Sequence, residues 1–485
     1  MQHYKQQSAF NKKKKRLNQY KLLVVLIMSG ILLASSFYLS AIFFIALFYL
    51  LHELLWSDHI FYNVKQDYQY NLKSDFSRTI DLKNFEIDWQ EEYKGKTLLL
   101  ELELNSHFPG YIFDPFITLE SSSAVQAQFF ERGLKGRRFV NLSHINEALS
   151  EKKIKLGFYY CGLSNTRAIL HGFSRPDLSN KKVLLIAPHA DDAEIAAFGV
   201  YSQNNSFIAT ITAGEVEAEY YESISRSKQE ASRLKGRLRA WDSVSVPLWA
   251  GLKPDKVMQL GYFCLTLKTM YQSPDKKVSS LTAGIDDPAY FRSYNQIALK
   301  TDKSVAASWN NLVQDLQEII EREKPDVIMT AHPDMDPHSD HRYATIACLQ
   351  ACEKNQLTAK FLLYTNHYNH TDMFPFGLSG SLHSLAPEFN QTNSTIFPVS
   401  YRLNKNSQND KLMALTMMHD LQTPIGRKKR FRQIVQEKLI GREKFVMGND
   451  DFLRKAVRQN ELFFQVTTEQ LKAIIDEQEI ISGEK

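Results

Sequence analysis

From Leu22 to Trp56 the chain carries no charged residue except Glu53, and Leu, Ile, Val, Phe and Tyr fill most of the run. A helix needs about 20 apolar residues to cross a hydrocarbon core, so this stretch is long enough to span one. It is too long for the apolar core of a signal peptide, and no small-residue cleavage pattern follows it. The same length disfavours a buried helix of a soluble protein. The basic run Lys12-Lys13-Lys14-Lys15-Arg16 lies just ahead and sets the N-terminal end on the cytoplasmic side. One tilted helix would leave everything downstream outside. A hairpin of two short helices turning near Ser35-Ser36 would return the chain to the cytoplasmic side, and that layout is slightly favoured. Residues 1–21 therefore read as a basic cytoplasmic tail and 22–56 as a transmembrane segment.

Beyond Trp56 the chain must fold as a tethered body. It has 485 residues in all, 44% of them hydrophobic and 23% charged, which gives room for two or more domains and excludes a largely disordered chain. The net charge of +5 matches the basic run of the tail, with acids and bases nearly balanced elsewhere. That distribution points to a membrane surface, with membrane lipid as a partner, and away from nucleic acid. Cys161, Cys264, Cys348 and Cys352 are too few and too scattered for a disulfide framework.

Residues 57–178 read as a small β-rich accessory domain. Thr97 to Leu104 alternates toward its end and Ile154 to Tyr160 alternates less cleanly, the pattern of half-buried antiparallel strands. Residues 179–470 change character. Val183-Leu184-Leu185-Ile186-Ala187 is an unbroken apolar run, as expected for a parallel strand buried on both faces. Trp309 to Lys324 is amphipathic at helical spacing, Pro325 stops it, and Asp326 to Thr330 reads as another buried strand. Strand, helix and strand in alternation predict an α/β fold with a doubly wound, mostly parallel sheet. Ligands collect beyond the carboxyl ends of such strands.

Two clusters fall there. Pro188-His189-Ala190-Asp191-Asp192-Ala193-Glu194 follows the first strand, and His332 to His341, containing Asp334, Asp336, His338 and Asp340, follows the later one. A catalytic zinc site takes three nitrogen or oxygen ligands and leaves one position open. His189 and Asp192, three apart on a tight turn, can point at one ion, with a third ligand from the second cluster. Asp191 between them is a carboxylate available to act on water. A His beside two Asp residues is equally often a surface turn or helix cap. Two such clusters, each at a buried strand end, make a paired accident much less frequent.

These residues resemble the PIG-L/LmbE-like de-N-acetylases, zinc enzymes with a Rossmann-like α/β fold. His189-Ala190-Asp191-Asp192-Ala193-Glu194 is similar to the family's first motif, Thr212-Ala213-Gly214-Glu215 to its Thr-Asp-Gly-Glu stretch, and His338-Ser339-Asp340-His341 to its His-Pro-Asp-His motif. Lys411, Ala414, His419 and Gln422 resemble its late helix, and the likeness runs from about Lys181 to Phe464. The resemblance implies one divalent ion, zinc, held by His189, Asp192 and His341; iron(II) suits the same donors. It further implies Asp191 as general base, His338 as oxyanion stabiliser or proton donor, Asp340 as the residue that orients His338, and Arg226 as a substrate contact. The substrate it implies is an N-acetylated amino sugar, and a membrane anchor favours a glycolipid or polysaccharide carrier. Departures lie at Phe198-Gly199, at Asp336 where a Tyr is common, and at Cys264 where the family has Asp.

Other features have simpler readings. His332 and Asp334 suit loop capping, and His367 and His370 suit a surface loop. Residues 271–308 suit an insertion or lid, and Arg427-Lys428-Lys429-Arg430 is either a solvated helix face or a lipid-headgroup patch. Two rival functions are a zinc amidohydrolase acting on a non-sugar amide and a non-catalytic glycan-binding membrane protein. The second would require weakened metal ligands.

Overall fold

The computed structural model describes residues 2–88, 90, 93–121, 124–145, 153–303, 305–389, 395–422, 425–443 and 450–482. The apolar run forms two helices, α1 (Gln2–Ala34) and α2 (Tyr38–Leu51), followed by a wider π-type turn over His52–Trp56. The break has a local cause. Ser36 takes a left-handed φ of 59°, the Phe37 N–H returns to the Leu32 carbonyl at 2.9 Å, and the Ser36 N–H returns to Leu33 at 3.1 Å. This pattern closes a helix C-terminus, with serine where glycine is more usual. From Tyr20 to Ala34 of α1, and along α2, the outward side chains are uncovered, with Leu39 84% exposed. Tyr38–Trp56 is long and apolar enough to cross a membrane.

Two antiparallel sheets come next. The first holds β1 (Phe76–Asp81), β3 (Lys96–Ser106), β6 (Lys135–Asn141), β8 (Cys161–Leu163) and β9 (Arg167–Ser174), in the order β1-β9-β3-β6 with β8 on β3. The second holds β2 (Glu86–Asp88), β4 (Phe116–Glu120), β5 (Val125–Phe129) and β7 (Lys153–Tyr159), in the order β2-β7-β4-β5. Leu98, Leu100, Leu102 and Leu104 of β3 pack with Ile117, Leu119 and Leu156 between the sheets. Leu99, from the opposite face, joins Phe139 and Phe173 in a core shared with the α/β half. Burial on both faces explains why alternation is blurred at the start of this strand.

The α/β half is built on β10 (Lys182–Ala187), β11 (Asn205–Thr212), β12 (Val257–Tyr262), β13 (Val327–Ala331), β14 (Lys360–Tyr364), β15 (Pro398–Arg402) and β16 (Asn460–Thr467). Their order is β12-β11-β10-β13-β14-β16-β15, parallel from β12 to β14 and antiparallel beyond. Its helices are α3 (Asp192–Tyr201), α4 (Glu219–Glu222), α5 (Lys228–Trp249), α6 (Leu267–Gln272), α7 (Trp309–Glu323), α8 (Ser339–Lys354), α9 (Lys405–Met417), α10 (Arg427–Ile440), α11 (Asp450–Ala456) and α12 (Thr468–Ser482). Leu184 and Ile186 of β10 pack with α7 and α8 residues such as Leu316 and Cys348. Val183, Leu185 and Ala187 pack with Ala197, Phe198 and Leu415 of α3 and α9 on the other face. The strand order reverses between β10 and β13, which opens a crevice beyond their carboxyl ends.

Candidate functional site

β10 and β13 are neighbours, with Val183 opposite Val327 and Leu185 opposite Met329, so the segments after them leave the sheet side by side. After β10 the chain turns sharply at Asp191, whose φ is +96°. A non-glycine residue keeps such a value only where its surroundings over-determine it. Arg239 of α5 supplies that constraint: its Nη2 donates to the Ala190 carbonyl at 2.6 Å and to Asp191 Oδ1 at 3.3 Å, while Nη1 pairs with Asp420 at 2.6 Å. The turn places Asp192 in the first turn of α3, where its Oδ2 accepts the His189 backbone N–H at 2.9 Å.

Three atoms then converge. His189 Nδ1 lies 3.2 Å from Asp192 Oδ2, His341 Nε2 lies 3.2 Å from the same oxygen, and the two ring nitrogens are 3.3 Å apart. A tetrahedral zinc with bonds of 2.0–2.1 Å sets its ligand atoms about 3.3 Å apart, so the triangle has the size of one face of such a site. Each corner is also braced from behind. His189 Nε2 faces Asp340 Oδ2 at 3.3 Å, His341 Nδ1 faces Asp336 Oδ2 at 2.9 Å, and Asn366 Nδ2 donates to Asp192 Oδ1 at 2.8 Å. A histidine that ligates a metal almost always gives its other ring N–H to such a partner, which fixes the tautomer. The donor set and its bracing fit a divalent ion.

Charge is concentrated here. Burial opposes ionisation of Asp192, yet His341 and His189 hold its carboxyl well below the usual range. Burial also opposes protonation of His341, yet Asp192 and Asp336 raise it to about 10. A cation entering the triangle displaces such protons, so binding is coupled to proton release. Burial raises the Asp191 carboxyl to about 6, with Arg239 pulling down and Asp192 pushing up. Burial, with charge on His189 and His341, lowers His338 to about 4.

The expected residues do not all sit as read from the sequence. His338 stands edge-on to the His189 ring, with centroids 4.8 Å apart, and its buried Nδ1 has no partner among the described residues. Asp340 does not hydrogen-bond it. Two positions apart at the start of a helix, the side chains diverge, and Asp340 instead accepts the Leu265 N–H at 2.6 Å and faces His189. Its charge still raises His338, while its Oδ2 sits against His189 Nε2. Arg226 is exposed beside the Ser227 cap of α5; its backbone N–H donates to Glu230 at 2.9 Å, and no described contact joins its side chain to the cluster.

Other residues enter unannounced. The His367 ring lies 4.9 Å from His341 and 5.5 Å from His338, so this is a site residue and not part of a remote surface loop. Cys264 Sγ lies 3.6 Å from His189 Nε2. Both follow strands that end at the crevice; Cys264 also stands out in the sequence as a departure from the family pattern, whereas for His367 the strand end is the one signal that could have found it. His332 caps its loop by accepting the Asp334 and Met335 N–H groups, while His370 packs on Phe389 away from the cluster. The 271–308 segment buries Ala283, Phe291 and Leu299 in the core. Lys411 is buried in an ion pair with Glu461 at 2.8 Å.

Residues 184–352, which include both clusters, match the family profile described as PIG-L: GlcNAc-PI de-N-acetylase. No protein of curated function matches the chain. Among solved structures it is similar to the N,N'-diacetylchitobiose deacetylase of Pyrococcus horikoshii, at 16% identity and a TM-score of 0.33, over 60% of this chain and 88% of that one. It is also similar to GalB, the 4-carboxy-2-hydroxymuconate hydratase of Pseudomonas putida, at 12% identity and a TM-score of 0.26, over 59% of this chain and 95% of that one.

Proposed function

We propose, from the premise that residues 184–352 are a PIG-L family region, that the chain is a metal-dependent hydrolase removing the N-acetyl group from an N-acetylated amino sugar. The observation that carries this reading is the braced triangle of His189 Nδ1, Asp192 Oδ2 and His341 Nε2, at ion-sized spacing. These three residues hold the ion, with zinc the first choice and iron(II) the alternative. Such an ion supplies Lewis acidity to the amide carbonyl and makes water acidic near neutrality.

The chain's own residues do the rest. Asp191, pinned by Arg239, takes a proton from the attacking water. Burial, with charge on His189 and His341, keeps His338 neutral, and its Nδ1 has no partner among the described residues; it donates toward the oxyanion, or relays to the leaving amine the proton that Asp191 takes from water. Asp340 and Asp336 position the two ligand imidazoles. Arg226, at the exposed start of α5, meets the outer part of a large substrate.

The strand order β12-β11-β10-β13-β14 supports a doubly wound, Rossmann-like frame for this chemistry. The uncovered apolar helices support a membrane hairpin, because Lys21 Nζ lies 4.1 Å over the Trp56 ring and so brings both ends of the run to one level. The basic tail and the catalytic half then share the cytoplasmic side, and the substrate is carried on a lipid or a polysaccharide.

The test is metal content and acetate release, side by side, for detergent-purified wild type and Asp191→Ala. Free N-acetylated sugars, N-acetylated glycolipids and chitin oligomers form the panel. Metal in both proteins with acetate from the wild type alone is expected. A wild type that binds no divalent ion sinks the mechanism.

A further inference from the structure

The basic run that begins α10 supplies none of the proposed ligand or base residues. It lies beside the base of the apolar hairpin. Phe431 stacks on Tyr49 of α2, with ring centroids 5.4 Å apart at 24°. Arg432 Nε donates to Glu53 Oε2 at 2.7 Å, and Gln436 Nε2 donates to the Glu53 carbonyl at 3.0 Å and to Ser57 Oγ at 3.2 Å. Just past the helix, Arg442 bridges Asp58 at 2.7 Å and Asp114 at 2.5 Å, tying its end to both the hairpin and the β-sandwich. The orientation of α10 is therefore set by contacts to the hairpin.

Much of the rest of its surface is uncovered. Val435 and Gln436 are buried, whereas Arg427, Arg430 and Lys438 are exposed together with Phe431 at 39%, Ile434 at 42% and Leu439 at 50%. Arg427, Ile434, Lys438 and Phe431 fall on one side of the helix, and aromatic, apolar and long basic side chains mixed in this way suit the headgroup level of a membrane. The apolar part of this face runs on through Tyr49 into the uncovered side of α2, so the two surfaces are continuous. The level is right as well. Lys21 over Trp56 marks where the hairpin's apolar surface ends, and α10 packs on the same His52–Trp56 turn. Aromatic and long basic side chains gather at that depth.

We propose that α10 is an interfacial helix that binds anionic lipid headgroups and seats the catalytic half on the leaflet from which the hairpin enters. This rests on the hairpin reading, though not on the reaction. It has a consequence for access. A cavity of about 320 Å³ is lined both by Asn366 and His367, at the edge of the histidine cluster, and by Lys429 of α10. α10 thus forms one wall of that cavity, and docking sets how far the cavity stands from the leaflet, where a substrate carried on a lipid presents its sugar.

The test uses the full chain in nanodiscs of phosphatidylcholine, with or without a third of the lipid anionic. All four native cysteines are buried, so Ile434→Cys gives a unique accessible thiol for an environment-sensitive dye. Leu39→Cys at the hairpin tip and Val125→Cys, 66% exposed on the β-sandwich, are the controls. The expected result is quenching at position 434 by a lipid spin label placed near the headgroup, in anionic discs and weakened by salt. Replacing Arg427, Arg430 and Lys438 by Gln leaves the contacts to Glu53 intact, and it should weaken docking roughly fivefold per charge. Position 39 quenched with 434 unquenched overturns the proposal and leaves the hairpin standing. Equal quenching at 434 in neutral discs overturns headgroup binding. No quenching at position 39 removes the hairpin and the proposal with it.

Discussion

Asp336 gives the sharpest test of the metal site, because it touches no proposed substrate position and yet braces the triangle. Its carboxylate is 2% exposed and accepts four donors: His341 Nδ1 at 2.9 Å and the N–H groups of Asn366, His367 and His338 at 3.0, 3.2 and 3.1 Å. In Asp336→Ala the His341 ring loses its tautomer lock and the flanking loop its anchor. Losing such a brace weakens metal affinity about 10- to 100-fold, or about 1.4–2.7 kcal/mol. Thermal melts with and without zinc read this directly. At free zinc about 100 times the wild-type Kd, the ion stabilises wild type by about 2.7 kcal/mol. A variant binding about 30-fold more weakly gains only about 0.9 kcal/mol at the same concentration. The zinc-induced shift should therefore fall to about a third. The variant's loss of buried hydrogen bonds lowers both melts and cancels in the difference. A shift equal to that of wild type, with chelator competition giving an unchanged Kd, would falsify the role assigned to Asp336 and with it the ligand geometry at His341.

Three further outcomes are expected. Asp191→Asn should keep its metal and lose about 10²- to 10⁴-fold in kcat, measured as acetate release; a near-normal kcat rules Asp191 out as the base. Arg138 and Glu131 are fully buried and paired at 2.6 Å, so Arg138→Met should cost about 3–5 kcal/mol by stranding the carboxylate. Adding Glu131→Leu should recover most of that loss in denaturant titration, and no recovery would mean the cost is one of packing. Burial opposes ionisation of Asp58, but Arg442 and Arg132 hold its carboxyl well below the usual range. Its folded-state pKa is depressed, so its stabilisation is complete above the unfolded value of about 4 and is lost as pH falls from there through the folded value. The Tm gap between wild type and Asp58→Asn should therefore stay level from neutral to mildly acidic pH and shrink below about pH 4; a gap that closes at neutral pH refutes the pairing.

The readable part of this molecule is the part whose information is local. An unbroken apolar run announces β10, a helical stripe closed by Pro325 announces α7, and both lead to the crevice where the two motifs lie. His189 and Asp192 can be named as candidates because a tight turn fixes where such side chains can point, whereas His341 is singled out within its cluster only by the family resemblance. The bracing cannot be read in the same way. Asp336 looks in sequence like a departure from pattern, and its value lies in reaching His341 and the 366–367 backbone across the gap between β13 and β14. Proximity in sequence pairs Asp340 with His338, but helix geometry turns it toward His189. His367 depends on strand order alone.

Glu53 carries this distinction furthest. As the lone acid in an apolar run, it looks in sequence like a flaw in a spanning helix. In the fold it is fully buried and reached by Arg432, a residue so distant in the chain that no local pattern relates them. A buried carboxylate is tolerable only where a cation and hydrogen bonds meet it, and Arg432 of α10 supplies that cation. That pairing makes the placement of α10 against the base of the apolar helices specific, since a sliding apolar contact would accept many positions and an ion pair accepts few.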